Sequence, residues 1–320
     1  MNKYIGNALQ LYGVEEVRLV GGKGDGMRLL RVRNSGGLAF EISLDRCGDI
    51  SRLSFKGDNF SYFAPCGYVA PQYYDGKGAG FLKSFTAGFF TTCGLTQVGS
   101  PCTDEGEDLP LHGTIGNTPC ESFGHWIAGD EIHIKLTVRD AAMFAHHLIL
   151  EREYICGITE NYIKLTDTVK NIGSTEAPLE LLYHCNMGYP LLSETAVVSI
   201  PSETVVPRNE DAAKGMADRL KMESPQKGFA EQCFFYTLDG TPTVSIYNPA
   251  IGKGLEMTYD TKELPCFTEW KMMGEYEYVL GLEPGNCTPE GRAAVRAAGN
   301  LQFLAPGEAQ TFHLTFAFKE

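Results

Sequence analysis

The amino-acid sequence predicts an all-β fold, a large antiparallel β-sandwich. Three observations carry that reading. Apolar and polar residues alternate with a period of two along much of the chain, helical periodicity is sparse, and Gly, Asn, Asp and Pro break the β-prone runs at short intervals. The strongest alternation lies at the C-terminus, where Phe312, Leu314, Phe316 and Phe318 share one face and Thr311, His313 and Thr315 the other. A chain of 320 residues can bury a substantial core. No linker-like shift in composition divides it, so residues 1–320 read as a single domain. Two β-domains joined without a recognisable linker are the alternative.

Taken in order, residues 7–16 read as a short helix. The glycine-rich stretch 21–26 (GGKGDG) looks at first like a phosphate cradle, but such a cradle needs a helix behind it. Residues 27–34 (MRLLRVRN) are strand-like instead, so a hairpin turn is predicted. Strands follow at 38–44 and 50–55, and the Gly and Pro punctuation through 57–120 predicts long loops over a sheet. Ile132, Ile134, Leu136 and Val138 alternate with His133, Lys135, Thr137 and Arg139. Residues 148–155 and 163–169 repeat the pattern. A second helix is predicted over 211–222, capped near Asn209 and weakened by Gly215.

A hydrophobic content of 43% and a charged content of 21% describe a soluble globular chain. The formal net charge of −13 argues against nucleic acid or an anionic membrane as partner, because both demand a basic footprint. A neutral ligand such as a small sugar is compatible. The ten cysteines include no CxxC pair, which removes the zinc-ribbon and thioredoxin readings. No apolar run has the length of a signal peptide or a membrane span. A cytoplasmic protein with reduced thiols is therefore expected.

The stretch 180–192 (ELLYHCNMGYPLL) is the unusual one. It starts as an apolar strand, then sets Tyr183, His184 and Asn186 before a Gly188 and Pro190 break. His184 and Asn186 fall on one strand face; by itself, a hydrogen-bonded core histidine is the simpler reading. His112, between Pro110 and Gly113, is either a ligand-facing ring or an exposed loop residue. Glu283 ends an apolar strand on the face of Gly281, where partial desolvation would raise its pKa and suit it to general-base work; a strand-end glutamate exposed at a turn is the bland alternative. Trp270 and Lys271 offer an aromatic platform and a cation. Arg46 and Asp49 either bind ligand hydroxyls or pair with each other. His133 and His313 fall on polar strand faces, His125 reads as packing, and His146 and His147 point to opposite faces.

Four ordered motifs then coincide: RCGDI at 46–50, LHG at 111–113, YHCNMGYP at 183–190 and LEPGN at 282–286. With the strand and NIG turn at 163–173, they resemble the galactose mutarotase-like (aldose 1-epimerase) superfamily, in a poorly characterised branch. The resemblance implies a β-supersandwich with a ligand cleft, and interconversion of the anomers of a free aldose. Carried over by motif, Glu283 would take the proton of the C1 hydroxyl, His184 would protonate the ring oxygen, and His112 would orient the sugar. Arg46, Asp49, Asn186, Trp270, Lys271 and Asn286 would bind substrate. The implied reaction needs no metal and no cofactor. The chain lacks the Asn-Arg pair and the Thr-Asn-His run of the well-studied enzymes, so the sugar itself stays open. A non-catalytic sugar-binding or sensing protein, and an isomerase or lyase on an unusual sugar, fit the same fold.

Overall fold

A computed structural model describes residues 3–320. The chain forms an antiparallel sheet of eight strands, centred on Glu131–Ala141, His147–Gly157, Tyr162–Asn171 and the C-terminal Ala309–Lys319. A second antiparallel sheet contains Gln232–Tyr236, Cys266–Met273, Tyr278–Gly285 and Ala177–Met187, with Phe90–Leu95 paired to the last of these. An N-terminal five-stranded sheet begins with Gly13–Arg18 and Arg28–Arg33. All three contribute to one apolar core that reaches from Leu30 to Phe318. The fold is the all-β sandwich that the alternation predicts.

Alternation explains which face goes where. Ile132, Ile134, Leu136 and Val138 are buried, as are Phe312, Leu314 and Phe316 on the C-terminal strand. Each such side chain contributes about 1.5–3 kcal/mol by leaving water. On Ala177–Met187, Leu181, Tyr183, Cys185 and Met187 point into the core between the sheets. Leu182, His184 and Asn186 therefore face the other way. That assignment positions the site.

Two predicted helices need correction. Residues 7–16 hold only a 3-10 turn, Ala8–Gln10, before the strand Gly13–Arg18. The turn is closed by a capping box between Asn7 and Gln10, and Val14 packs against the core as the first strand of its sheet. The second helix does begin at Asn209, whose side chain accepts from the Ala212 N–H, but it ends at Gly215 and tails into a 3-10 turn at Met216–Asp218. Glycine lowers the helical preference at that point. The 21–26 stretch is a hairpin connection between Gly13–Arg18 and Arg28–Arg33, with the Leu19 N–H donating to the Met27 carbonyl. All ten cysteines are free thiols. Among the described residues, no helix is long and apolar enough to cross a membrane.

Candidate active site

Three neighbouring strands build the site through their register. Leu182 pairs with Gly285 and Cys185 with Leu282, so His184 stands opposite Glu283. Asn186 pairs with Gly281 in the next row. On the far side of Tyr278–Gly285, Glu283 pairs with Thr268 and Gly281 with Trp270. Opposed side chains on one sheet face lie close enough to touch. One row thus carries His184, Glu283 and Thr268, and the adjacent row Asn186, Gly281 and Trp270. His184 and Asn186 precede the other four by roughly 80–100 positions in sequence, yet all six are contiguous on one face.

Glu283 is 2% exposed, and its Oε1 lies 3.3 Å from Nδ1 of His184 without making a hydrogen bond to any group. Burial drives its pKa well above the ordinary carboxylate range, and the nearby Glu231 adds to the shift. Gly281 makes the arrangement sterically feasible. A Cβ there would sit 2.2 Å from Glu283 Oε1 and 2.9 Å from Trp270 Cβ. The space released by this glycine is filled by the carboxylate itself.

His184 is held from behind. Its Nδ1 lies 2.7 Å from Asn186 Oδ1, while Asn186 Nδ2 donates to the His184 carbonyl at 2.6 Å. That second bond orients the amide, so Oδ1 faces the ring and Nδ1 carries the hydrogen. Nε2 is left as the nitrogen that can exchange a proton with a ligand. Burial lowers the His184 pKa to about 4, although the Asn186 bond works against the shift.

His112 arrives from a loop. It has φ +58°, uncommon for a residue with a side chain, and its backbone is bonded to Gly99 and Gly94 on both sides. Gly113 follows at φ +71°, where a Cβ would strike the Gly94 carbonyl at 2.3 Å. The Gly99 N–H donates to His112 Nδ1 at 3.3 Å, which places the ring hydrogen on Nε2. Burial lowers the His112 pKa to about 3, so the ring stays neutral and donates. The two imidazoles meet edge-on, with centroids 5.5 Å apart.

The cavity that His112, His184 and Glu283 line together measures about 210 Å³. Trp270 packs edge-on against His184 at 5.2 Å, and its indole N–H donates to Glu231 at 3.0 Å. Phe81 and Phe85 close another side. Sequence reasoning missed Arg208, Glu231, Ser100 and Thr268, which also line the cavity. Arg208 donates to Ser100 Oγ at 3.1 Å. Thr268 was discoverable, because it is two residues from Trp270 on one strand face. Arg208 and Glu231 are exposed charges next to short strands, a pattern that solvated residues share.

Four of the residues expected to bind substrate lie elsewhere. Arg46 and Asp49 line a separate space of about 10 Å³, away from His184. Nor do their side chains pair with each other: the Asp49 carboxylate accepts from Thr92 and Arg152, and the Arg46 guanidinium donates to the Val69 carbonyl. Lys271 follows Trp270 in a strand and so projects through the opposite face, where its ammonium donates to the carbonyls of Asp218 and Lys221. Asn286 bonds the backbone of Leu181 and Leu179 and ties two strands together. Asn186 is on the site face but acts on His184. The remaining histidines are outside: His133 stacks on Trp126, and His313 meets Glu263.

Comparison with solved structures places the fold. A protein from Klebsiella pneumoniae, provisionally described as an aldose 1-epimerase, superposes with a TM-score of 0.90 at 26% identity over 97% of this chain and 84% of that one. A galactose mutarotase-like protein from Clostridium acetobutylicum gives 0.68 at 13% identity, covering 97% and 99%. Galactose 1-epimerase from Lactobacillus acidophilus gives 0.63 at 12%, again over 97% and 99%. No curated protein sequence matches. The fold is galactose mutarotase-like, and with a family profile matching residues 24–318, the chain belongs to the family described as Domain of unknown function (DUF4432).

Proposed function

We propose that the protein is an isomerase that interconverts the anomers of a reducing sugar by acid–base ring opening, in the manner of an aldose 1-epimerase. The observation that carries this reading is the facing of Glu283 and His184 at 3.3 Å in a small cavity, with the carboxylate oxygen otherwise unbonded. A buried carboxyl with no hydrogen-bond partner is costly unless it serves a ligand.

Anomer exchange needs one proton removed from the C1 hydroxyl while another reaches the ring oxygen. The C1–O5 bond then breaks, the carbonyl carbon turns, and the ring closes with both proton transfers reversed. Glu283 and His184 hold one dissociable proton between them. Burial raises the pKa of Glu283 and lowers that of His184, which favours that proton on Glu283. In this state His184 Nε2 accepts from the C1 hydroxyl and the Glu283 carboxyl protonates O5. With the proton on His184 the roles exchange, giving the assignment that the family resemblance implies. Each group acts once as acid and once as base per turnover. Neutral His112 supplies an N–H to an oxygen of the sugar, and Trp270 offers a ring face to its C–H surface.

The test is saturation-transfer NMR of anomer exchange over a panel of free aldoses, ketoses, deoxy sugars and uronates. Glu283→Gln is expected to lower the rate on the accepted sugar by about 10²–10⁴. Equal exchange by wild type and variant on every sugar defeats the reading.

A further inference from the structure

A second cavity adjoins the first and is not needed for ring opening of a monosaccharide. It measures about 610 Å³ and shares Trp270, Glu231, Phe85 and Leu82 with the acid–base cavity as its common wall. Beyond that wall it is lined by Tyr62, Ala64, Phe229, Met272 and Glu277. At about 210 Å³ the first cavity lies below the roughly 300 Å³ at which small-molecule sites usually begin. It suffices for little more than the ring that reacts.

Resting on the proposed function, we propose that the substrate is a reducing oligosaccharide, with the reducing-end ring beside Glu283 and His184 and the next ring in the adjoining cavity. The lining chemistry selects this occupant. Aromatic faces at Tyr62, Phe229 and Trp270 suit the C–H surface of a sugar ring, while Glu231 and Glu277 accept from hydroxyls. Among the described residues, no Lys, Arg or His lines the second cavity, which disfavours an anionic substituent. The linkage leaves C1 of the first ring free, because the second ring is joined through another carbon, and so the ring-opening chemistry is unchanged.

Binding separates this from the ring-opening reading. Calorimetry on the Glu283→Gln protein would compare glucose and galactose with maltose, cellobiose, lactose and gentiobiose, and with 6-O-benzyl-glucose. At least one disaccharide is expected to bind tenfold or more tightly than its reducing-end monosaccharide. Ala64→Trp, which fills the second cavity, should remove that excess while leaving monosaccharide affinity and the otherwise wild-type exchange rate within twofold. Phe229→Ala should remove it without filling the space, and a thermal melt checks that both variants fold. If no disaccharide exceeds its monosaccharide, or if the benzyl ether binds better than all of them, the proposal is overturned even when monosaccharide exchange is catalysed. Tight disaccharide binding without catalysed exchange would keep the second-ring site and overturn the isomerase reading instead.

Discussion

The strand Ala177–Met187 carries two buried ionisable clusters back to back, and they are built on opposite rules. Tyr183 points inward, where its hydroxyl donates to Asp167 at 2.8 Å. Asp167 also takes a two-pronged contact from Arg152, at 2.8 and 2.6 Å, and Arg152 bonds Asp49 and Thr92 as well. Every charge there is surrounded by partners. His184, the next residue, points outward to Glu283, whose Oε1 has no hydrogen bond. A saturated network fixes a structure. An unsaturated one of similar burial keeps its capacity for a ligand. The contrast teaches that burial of charge alone does not mark a functional site; unmet hydrogen-bonding capacity in a cavity does.

Breaking each cluster should give opposite results. Arg152→Met strands two buried carboxylates and is expected to cost about 3–5 kcal/mol of stability, read from the shift in urea unfolding. Glu283→Gln should not lower that midpoint, because glutamine reproduces the shape of the protonated carboxyl without the cost of holding a proton above the ordinary carboxyl range. Its effect belongs to turnover, at about 10²–10⁴. Comparable stability losses in the two variants would erase the distinction between the clusters.

Gly281→Ala sharpens the comparison without removing a charge. The new methyl would lie 2.2 Å from Glu283 Oε1, so the carboxylate must swing away. A fall in exchange rate of about 10- to 100-fold is expected, from misplacement alone. Unchanged kinetics would show that the observed carboxylate position is unimportant.

The acid side of the site should also be visible in folding. His184 titrates near 6.5 when unfolded and near 4 when folded. Between those values the unfolded chain binds the extra proton, so stability falls as pH drops from about 6.5 toward 4. At pH 5 the loss is about 2 kcal/mol. Glu283 runs the other way: its contribution is present below the ordinary carboxyl range and is lost as pH rises through its raised pKa. The change in stability from pH 5 to pH 7, read from urea unfolding, should be about 2 kcal/mol less positive in His184→Asn than in wild type. An identical difference in both proteins would contradict a neutral buried imidazole.

Much of the fold was legible because alternation reports directly on which strand face is buried. The rows 132–138 and 312–318 needed no tertiary information. His184 and Glu283 were legible for a different reason: each interrupts an apolar strand that ends in a Gly-Pro or Pro-Gly break. Register is invisible from one strand alone, so only the family resemblance put these two residues in one site, and nothing in the sequence showed that Gly281 makes room for the carboxylate. Arg46 and Asp49 misled because their true partners, Val69, Thr92 and Arg152, are distant in sequence.

The smallest expected effect tests the simplest of these points. Trp270 and Lys271 look like a platform and a cation when read as neighbours, but adjacent residues in a strand serve opposite faces. Lys271 is 2% exposed and spends its ammonium on the carbonyls of Asp218 and Lys221, near the buried Glu269. Lys271→Met should therefore cost about 1–3 kcal/mol of stability through carbonyls left unpaired, while exchange rates measured below the melting transition stay within twofold. Trp270→Ala, one residue away, should weaken sugar binding severalfold with a smaller loss of stability. If Lys271→Met instead raised KM as Trp270→Ala does, the lysine would have to reach the cavity, and the assignment of faces on Cys266–Met273 would be wrong.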